Sequence, residues 1–377
     1  MEIMCLHPYL SMRAVKEMSA LKKFGHKVTL IYEGLGCSVE QGYGSFWDLV
    51  IQLPSCTFKG EFYFRKLYPR IYKKYLKSLC EFKHFDIIHS FSLPDTLAIA
   101  AIRYSGIPVV FDSRDVSSGI DDILLEDFKN PLLNNFQSHI YSKLIRKFEK
   151  EANEKSSGRI YVSQEMQNYI SGIYKIDQDR SIVLPNYQSE SFISHKILHK
   201  LSDKDKCIHL AYIGNILFDD FHRTINTIKK IGVHPIHFHL YPTGDKNTIN
   251  DIKSIFRTNP FIHFHNPLPP HDLIHELTQY DFGLTPRPPD RNVLNHGFAL
   301  PNKLFDYLSA GIPIAARNTN SIANFVKTNN VGFIYNENED LVSNLLKTSN
   351  GYKIDKTKFI MESHITDVIK LYEQILN

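Results

Sequence analysis

Short runs rich in Val, Ile, Leu, Tyr and Phe recur along the chain, each followed by a stretch whose apolar residues fall at helical spacing. The first series reads HKVTLIY (26–32), FDIIHSF (85–91), IPVVFDS (107–113), GRIYVS (158–163) and SIVLPN (181–186). Amphipathic stretches lie between them, among them SMRAVKEMSALKKF, LPDTLAIAAIRYS and NNFQSHIYSKLIRKFEKEANEK. Strands alternating with helices of this length predict βαβ units on a parallel sheet. The alternation pauses over residues 187–206, a polar segment, and restarts with IHLAYIG (208–214), HPIHFHLYP (234–242), PFIHFHN (260–266), YDFGLTP (280–286) and IPIAA (312–316).

Two such series predict an α/β protein of two Rossmann-like doubly wound domains facing a cleft. The expected boundaries are 1–186 for the first domain, 187–206 for a linker, 207–355 for the second domain and 356–377 for a C-terminal helix. That helix sets Ile365, Val368, Ile369, Tyr372, Ile375 and Leu376 on one face and could pack back across the domain seam, onto a domain the sequence does not specify. In open α/β sheets ligands bind beyond the carboxyl ends of the strands, so the search for chemistry narrows to strand-end residues.

Composition sharpens this only where it excludes. A length of 377 residues with 43% hydrophobic content allows two domains with their own cores. The 44 Lys/Arg against 40 Asp/Glu leave a net charge of +4, which gives no general reason to expect nucleic acid. The five cysteines form no CxxC pair and no zinc spacing, so reduced thiols and a cytoplasmic address are expected. No run approaches the roughly 18 apolar residues of a membrane span.

The stretch FALPNKLFDYLSAGIPIAA (298–316) carries the clearest candidate chemistry. Pro301 suits the first turn of a helix, where no amide hydrogen bond is lost. Asn302, Lys303 and Leu304 would then present backbone amides at the positive end of the helix dipole, a natural phosphate site, and Lys303 adds a full charge. Asp306, one turn on, could accept hydrogen bonds from a pair of ribose hydroxyls or could simply stabilise the helix N-terminus.

The run Asn302 to Pro313 resembles the donor-nucleotide motif of GT-B glycosyltransferases, in particular family 4, where NKLFEY is followed by small residues, Gly and Pro. Asp86 to Ser92, Ile107 to Asp115, Tyr161 to Ser163, Ile182 to Asn186, Ala211 to Gly214 and Tyr280 to Pro286 follow the family's order. The resemblance implies a GT-B fold and transfer of a sugar from a nucleotide diphosphate. It also implies a site without catalytic metal and no cofactor beyond that UDP- or GDP-type co-substrate.

Two features depart from the family. Its first acid would fall at Phe298, and its glycine-rich first loop is here His7-Pro8-Tyr9-Leu10-Ser11. Phosphate binding therefore rests on the second domain, with Lys303, Gly214, Arg223 and Arg287 as the expected contacts beside Asn302, Leu304 and Asp306. Fixed cations stabilise the charge that a departing diphosphate develops. In the first domain His89, Arg114 and Asp115 sit at predicted strand ends. Arg114 stands where relatives often carry His; it stays protonated and cannot act as a base, which leaves Asp115 to position or deprotonate an acceptor hydroxyl or to cap the following segment.

Eighteen histidines invite a metal reading. His237 with His239 and His263 with His265 alternate on strands, and His271 with His275 share a helix face. With no HExxH and no acid or Cys at ligand spacing, structural or solvent-facing roles are expected. The segment 59–84 sets eight Lys/Arg against two Glu among aromatics, which suits either an anionic membrane surface or a basic surface helix. The resulting expectation is a metal-independent, retaining glycosyltransferase that uses a glycan or lipid-linked acceptor in cell-surface polysaccharide or glycoconjugate synthesis. A nucleotide-sugar epimerase of the same fold and a non-catalytic binding subunit are the alternatives.

Overall fold

The computed structural model describes residues 1–7, 11–32, 46–53, 68–92, 95–119, 131–194, 196–216, 221–286, 293–347 and 351–377. The chain forms two compact units. The first comprises Met1–Pro185, Arg291–Ala299 and Met361–Asn377, and the second comprises Asn186–Asp290 and Leu300–Ile360.

Among the described residues of the first unit, seven strands form one parallel sheet. They are β1 (Glu2–His7), β2 (Lys27–Tyr32), β3 (Leu49–Gln52), β4 (Ile87–Phe91), β5 (Val109–Ser113), β6 (Gly158–Tyr161) and β7 (Ser181–Val183), in the order β3-β2-β1-β4-β5-β6-β7. The strands are hydrophobic on successive residues because helices cover both faces; β4 and β5 are buried at every position. Met4, Leu6, Ile31 and Ile88 pack with Leu76, Leu97 and Ala101 on one side. The C-terminal helix Ile365–Leu376 belongs to this unit and buries Ile365, Val368, Leu371 and Tyr372. Leu371 is inside, while Leu376, expected on the apolar face, is 42% exposed.

The second unit repeats the plan with β8 (Ile208–Ile216), β9 (Ile236–Gly244), β10 (Ile262–Phe264), β11 (Phe282–Thr285), β12 (Ile314–Arg317) and β13 (Gly332–Tyr335), in the order β10-β9-β8-β11-β12-β13. Both orders reverse direction beside the unit's first strand, between β1 and β4 and between β8 and β11, the switch point of doubly wound sheets. Three strands, β1 and the four-residue edge strands β3 and β13, lie outside the ten apolar runs read from the sequence.

Helix ends follow local chemistry. Ser11, Ser163 and Asp245 accept from backbone amides as N-caps. Gly311 closes the helix Asn302–Ala310 in the left-handed region, at φ 76°, where glycine carries no Cβ penalty. The residues 187–206 lie in the second unit. Leu201 donates to Gln279 O, Ser202 Oγ donates to Asp281 Oδ1 at 2.7 Å, and Gln188 bridges to Ile360. Among the described residues, no helix is long and apolar enough to cross a membrane.

Candidate functional site

In the second unit, the end of β8 and the start of the helix Asn302–Ala310 converge. Gly214 adopts φ 127°, and a Cβ there would stand 3.0 Å from Lys303 Nζ. Lys303 Nζ lies 4.5 Å from the Tyr212 ring centroid, a cation–π seat that holds the ammonium beside the glycine bend. Burial pushes the Lys303 ammonium down to about 8, Asp306 pulling it up and Arg223 pushing it further down. A cation held at such cost, and next to a second cation, is suited to an anionic ligand that neutralises both.

Asp306 lies one turn along. Gln188 Nε2 donates to its Oδ1 at 2.6 Å, so the carboxylate is oriented from the segment that leads into this unit. Underneath, Tyr307 Oη accepts from the Ile213 amide and donates to Leu284 O, both at 3.1 Å. Its ring lies against Gly283, where a Cβ would come within 2.2 Å of Tyr307 Cγ. The helix carrying Lys303 and Asp306 is thereby fixed to β8 and β11.

The structure thus brings together Gly214, Arg223, Lys303 and Asp306, with Asn302 exposed at the helix start. Leu304 departs from expectation in one respect. Its amide bonds Pro301 O at 3.1 Å and its side chain is fully buried, because the tight first turn and the core claim both. It offers no amide to a ligand. Arg287 lies outside the described residues. Tyr212 and Gln188 are contributors the motif did not reveal; both are far from it in sequence, and only the β8 register and the bridge to Ile360 place them.

In the first unit, the segment after β5 is fastened at almost every residue. The Arg114 amide donates to Ser92 Oγ at 2.9 Å and its Nη2 to Ser92 O at 3.0 Å. Asn295 Oδ1 accepts from the Val116 amide at 2.6 Å while its Nδ2 donates to Val116 O at 3.0 Å. Ser117 Oγ donates to Asp95 Oδ2 at 2.6 Å, and Glu149 accepts from Ser118. Between these anchors burial raises the Asp115 carboxyl above the usual range, against the pull of Arg114 and His296. A carboxylate raised in this way and flanked by two basic groups has the character of a proton acceptor.

Phe298 completes the same region as a packing residue. Its carbonyl accepts from Ser163 Oγ at 2.8 Å, and its ring sits 5.0 Å from that of Tyr169. No acid stands there, and His296 is the ionisable side chain that the short helix Val293–Phe298 brings near Asp115.

His89 is placed differently from Asp115. It is fully buried, with Nδ1 2.6 Å from Tyr372 Oη and Nε2 3.5 Å from Asp112 Oδ2. Arg13 Nε lies 2.7 Å from Glu17 Oε1 and donates to Asp112 Oδ2 at 3.0 Å, and Arg13 Nη1 donates to Leu184 O. Burial pushes the Asp112 carboxyl up, but Arg13 and His89 outweigh it and hold the group down at about 2. His89 has no surface of its own and lies wholly inside this cluster.

The strand histidines stack on one another. His209, His237, His239, His263 and His265 form a stacked ladder across β8, β9 and β10, with successive centroids 4.6–5.3 Å apart. Contrary to the sequence reading, an acid and a cysteine do stand beside it: Asp205, Cys207 and His237 present ligand atoms within 4.8 Å of one another. The turn before β8 brings them in, and no spacing rule anticipates it.

Seen as a whole, the architecture is GT-B: two Rossmann-like units on one chain. Solved structures show the same fold. A glycosyltransferase from Rickettsia africae is 15% identical, with TM-score 0.67, over 100% of this chain and 98% of its own. The sucrose-phosphate synthase of Thermosynechococcus elongatus is 12% identical, with TM-score 0.70, over 99% and 98%. Anabaena Alr3699/HepE, solved with UDP and glucose, is 13% identical, with TM-score 0.62, over 100% and 98%.

The family assignment comes from sequence models. Residues 13–187 match Glycosyltransferase Family 4, and residues 212–358 match the Glucosyltransferase 3-like C-terminal domain. The chain is a glycosyltransferase of GT-B fold, similar to Family 4 over residues 13–187. No curated protein matches its sequence.

Proposed function

We propose that the enzyme takes a sugar from a UDP- or GDP-type nucleotide diphosphate sugar and passes it to a glycan or lipid-linked acceptor, with retention at the anomeric carbon. The single observation that carries the donor half is the Lys303 ammonium, seated on Tyr212 at the Gly214 bend beside Arg223 and at the N-terminus of a buried helix. These groups bind the diphosphate, and Asp306, aligned by Gln188, receives the ribose hydroxyls. As the glycosidic bond breaks, charge builds on the leaving diphosphate, and cations already in place stabilise it without reorganising.

The acceptor half is assigned to the first unit. Asp115 takes the acceptor proton or orients the hydroxyl that bears it, beside the fixed charge of Arg114. A membrane-borne acceptor is supported by the helix Lys73–Phe82: Leu76 is buried in the core, while Lys73, Lys74 and Lys77 face solvent and Phe82 is 74% exposed.

Calorimetric titration of UDP, GDP and ADP into wild type and Asp306→Ala tests the donor half. One nucleotide diphosphate is expected to bind wild type and to lose at least about tenfold in affinity in the variant, as removal of a charged hydrogen-bonding partner implies. Equal binding by both proteins would remove Asp306 from the ribose.

A further inference from the structure

We propose that Asp205, Cys207 and His237 form a site for a zinc-class divalent cation, placed where the chain enters β8 and separate from the donor site. The three residues supply one carboxylate oxygen, one thiolate sulfur and one imidazole nitrogen, all within 4.8 Å of one another. A tetrahedral zinc ion with bonds of about 2.0–2.3 Å holds its ligands about 3.3–3.8 Å apart, so small side-chain rotations close the set. A mixed O, S and N donor set of this kind favours zinc or cobalt over calcium or magnesium, which take oxygen ligands.

The geometry around the three residues orients them as ligands. His237 Nε2 stands 3.5 Å from Asp205 Oδ2, long for a hydrogen bond and close to the ligand spacing an ion requires. The other ring nitrogen, Nδ1, lies 2.8 Å from His263 Nε2. With Nδ1 donating to His263, the Nε2 lone pair faces Asp205, which is how ligating histidines are usually fixed by their outer neighbours. His209 Nε2 lies 3.0 Å from Asp205 Oδ2 and holds the carboxylate in turn, while His209 Nδ1 continues to His239 at 2.9 Å and His239 Nδ1 to His265 at 3.0 Å. The ladder is thus a second layer behind the ligands.

The backbone turn that creates the site is itself unusual. Lys206 adopts φ 64°, a left-handed conformation uncommon for a residue with a Cβ, and the Cys207 amide donates to Asp205 Oδ1 at 2.9 Å. This turn folds residues 205 and 207 toward the same side. On binding, the Cys207 thiol proton leaves to solvent and the sulfur coordinates as thiolate. The ion would fasten the chain entering β8 to β9. It lies far from the donor groups: His209 pairs with His237 and Gly214 with Pro242, five residues further along both strands, or about 17 Å. Its role is therefore structural.

Cobalt titration of untagged, chelator-treated full-length protein tests the proposal. One equivalent is expected to bind with a thiolate-to-cobalt charge-transfer band that zinc abolishes. Cys207→Ser should lose the band, His237→Ala should weaken cobalt binding at least about tenfold, and Cys80→Ser should change neither. Nucleotide binding should be the same in the Cys207→Ser protein as in wild type. Alkylation of Cys207 in wild type, followed by peptide mass mapping, is independent of how the variants fold and should slow at least tenfold with zinc. Absence of the band, its persistence in Cys207→Ser, or an alkylation rate indifferent to zinc would each overturn the site.

Discussion

At the scale of single residues, Lys303 is the most telling group because its seat works against it. Its ammonium is pushed down to about 8 by burial, whereas an unfolded lysine titrates near about 10.4. Between those values the unfolded chain binds more protons, so this group's contribution to stability rises with pH across the window from about 8 to 10.4, and the full cost of the charge is borne below about 8. Lys303→Met is therefore expected to raise the melting temperature at pH 7 while lowering nucleotide diphosphate affinity at least about tenfold, a trade of stability for function. In wild type, affinity for the diphosphate should fall by up to about tenfold per pH unit above about 8, as the free lysine loses its proton. Calorimetry at pH 7 and pH 9 checks both signs. The position of Lys303 and Asp306 in the first turns of a helix was legible because a helix N-terminus has a recognisable local grammar. Tyr212 and Gln188 were not, since a cation–π seat and a carboxylate's hydrogen-bond partner depend on tertiary approach.

At the scale of elements, ten strands announced themselves by apolar runs, and the parallel pairing within each sheet follows from the helices that connect them. The short helix Val293–Phe298 was the less legible element. The sequence around Phe298 reads as part of the donor motif, yet residues 291–299 fold with the first unit, because Phe298 and Leu294 pack against Val116, Tyr161 and Met166. Asn295 then clamps the backbone of Val116, next to Asp115, from both sides. Asn295→Ala is expected to slow turnover about ten- to hundredfold by releasing Asp115, with donor affinity unchanged. Steady-state kinetics paired with nucleotide calorimetry separate that outcome from general unfolding, which would weaken both.

The position of residues 361–377 could not be read from the sequence, which offered an apolar face without a partner. The structure joins it to the first unit through a polar contact at its centre: Tyr372 Oη meets His89 Nδ1 in a fully buried cluster with Arg13, Glu17 and Asp112. Tyr372→Ala should cost about 3–5 kcal/mol, combining a large cavity with an exposed edge of that cluster. Denaturant unfolding monitored on the first unit checks it.

At the scale of the whole molecule, one chain carries two units of the same winding with unlike chemistry, fixed cations in the second and a raised carboxylate in the first. On the proposed reading, the cations hold the donor and the carboxylate serves the acceptor. The measurement that tests it most directly is donor consumption: a panel of UDP- and GDP-sugars incubated with glycan and lipid-linked acceptors, with nucleoside diphosphate release and glycosylated product both quantified. The account predicts that one donor is consumed, that nucleoside diphosphate and product appear one for one, and that Asp115→Asn abolishes both while still binding the nucleotide. Nucleotide binding with no donor consumed by wild type, or a sugar epimerised without any acceptor, would contradict it.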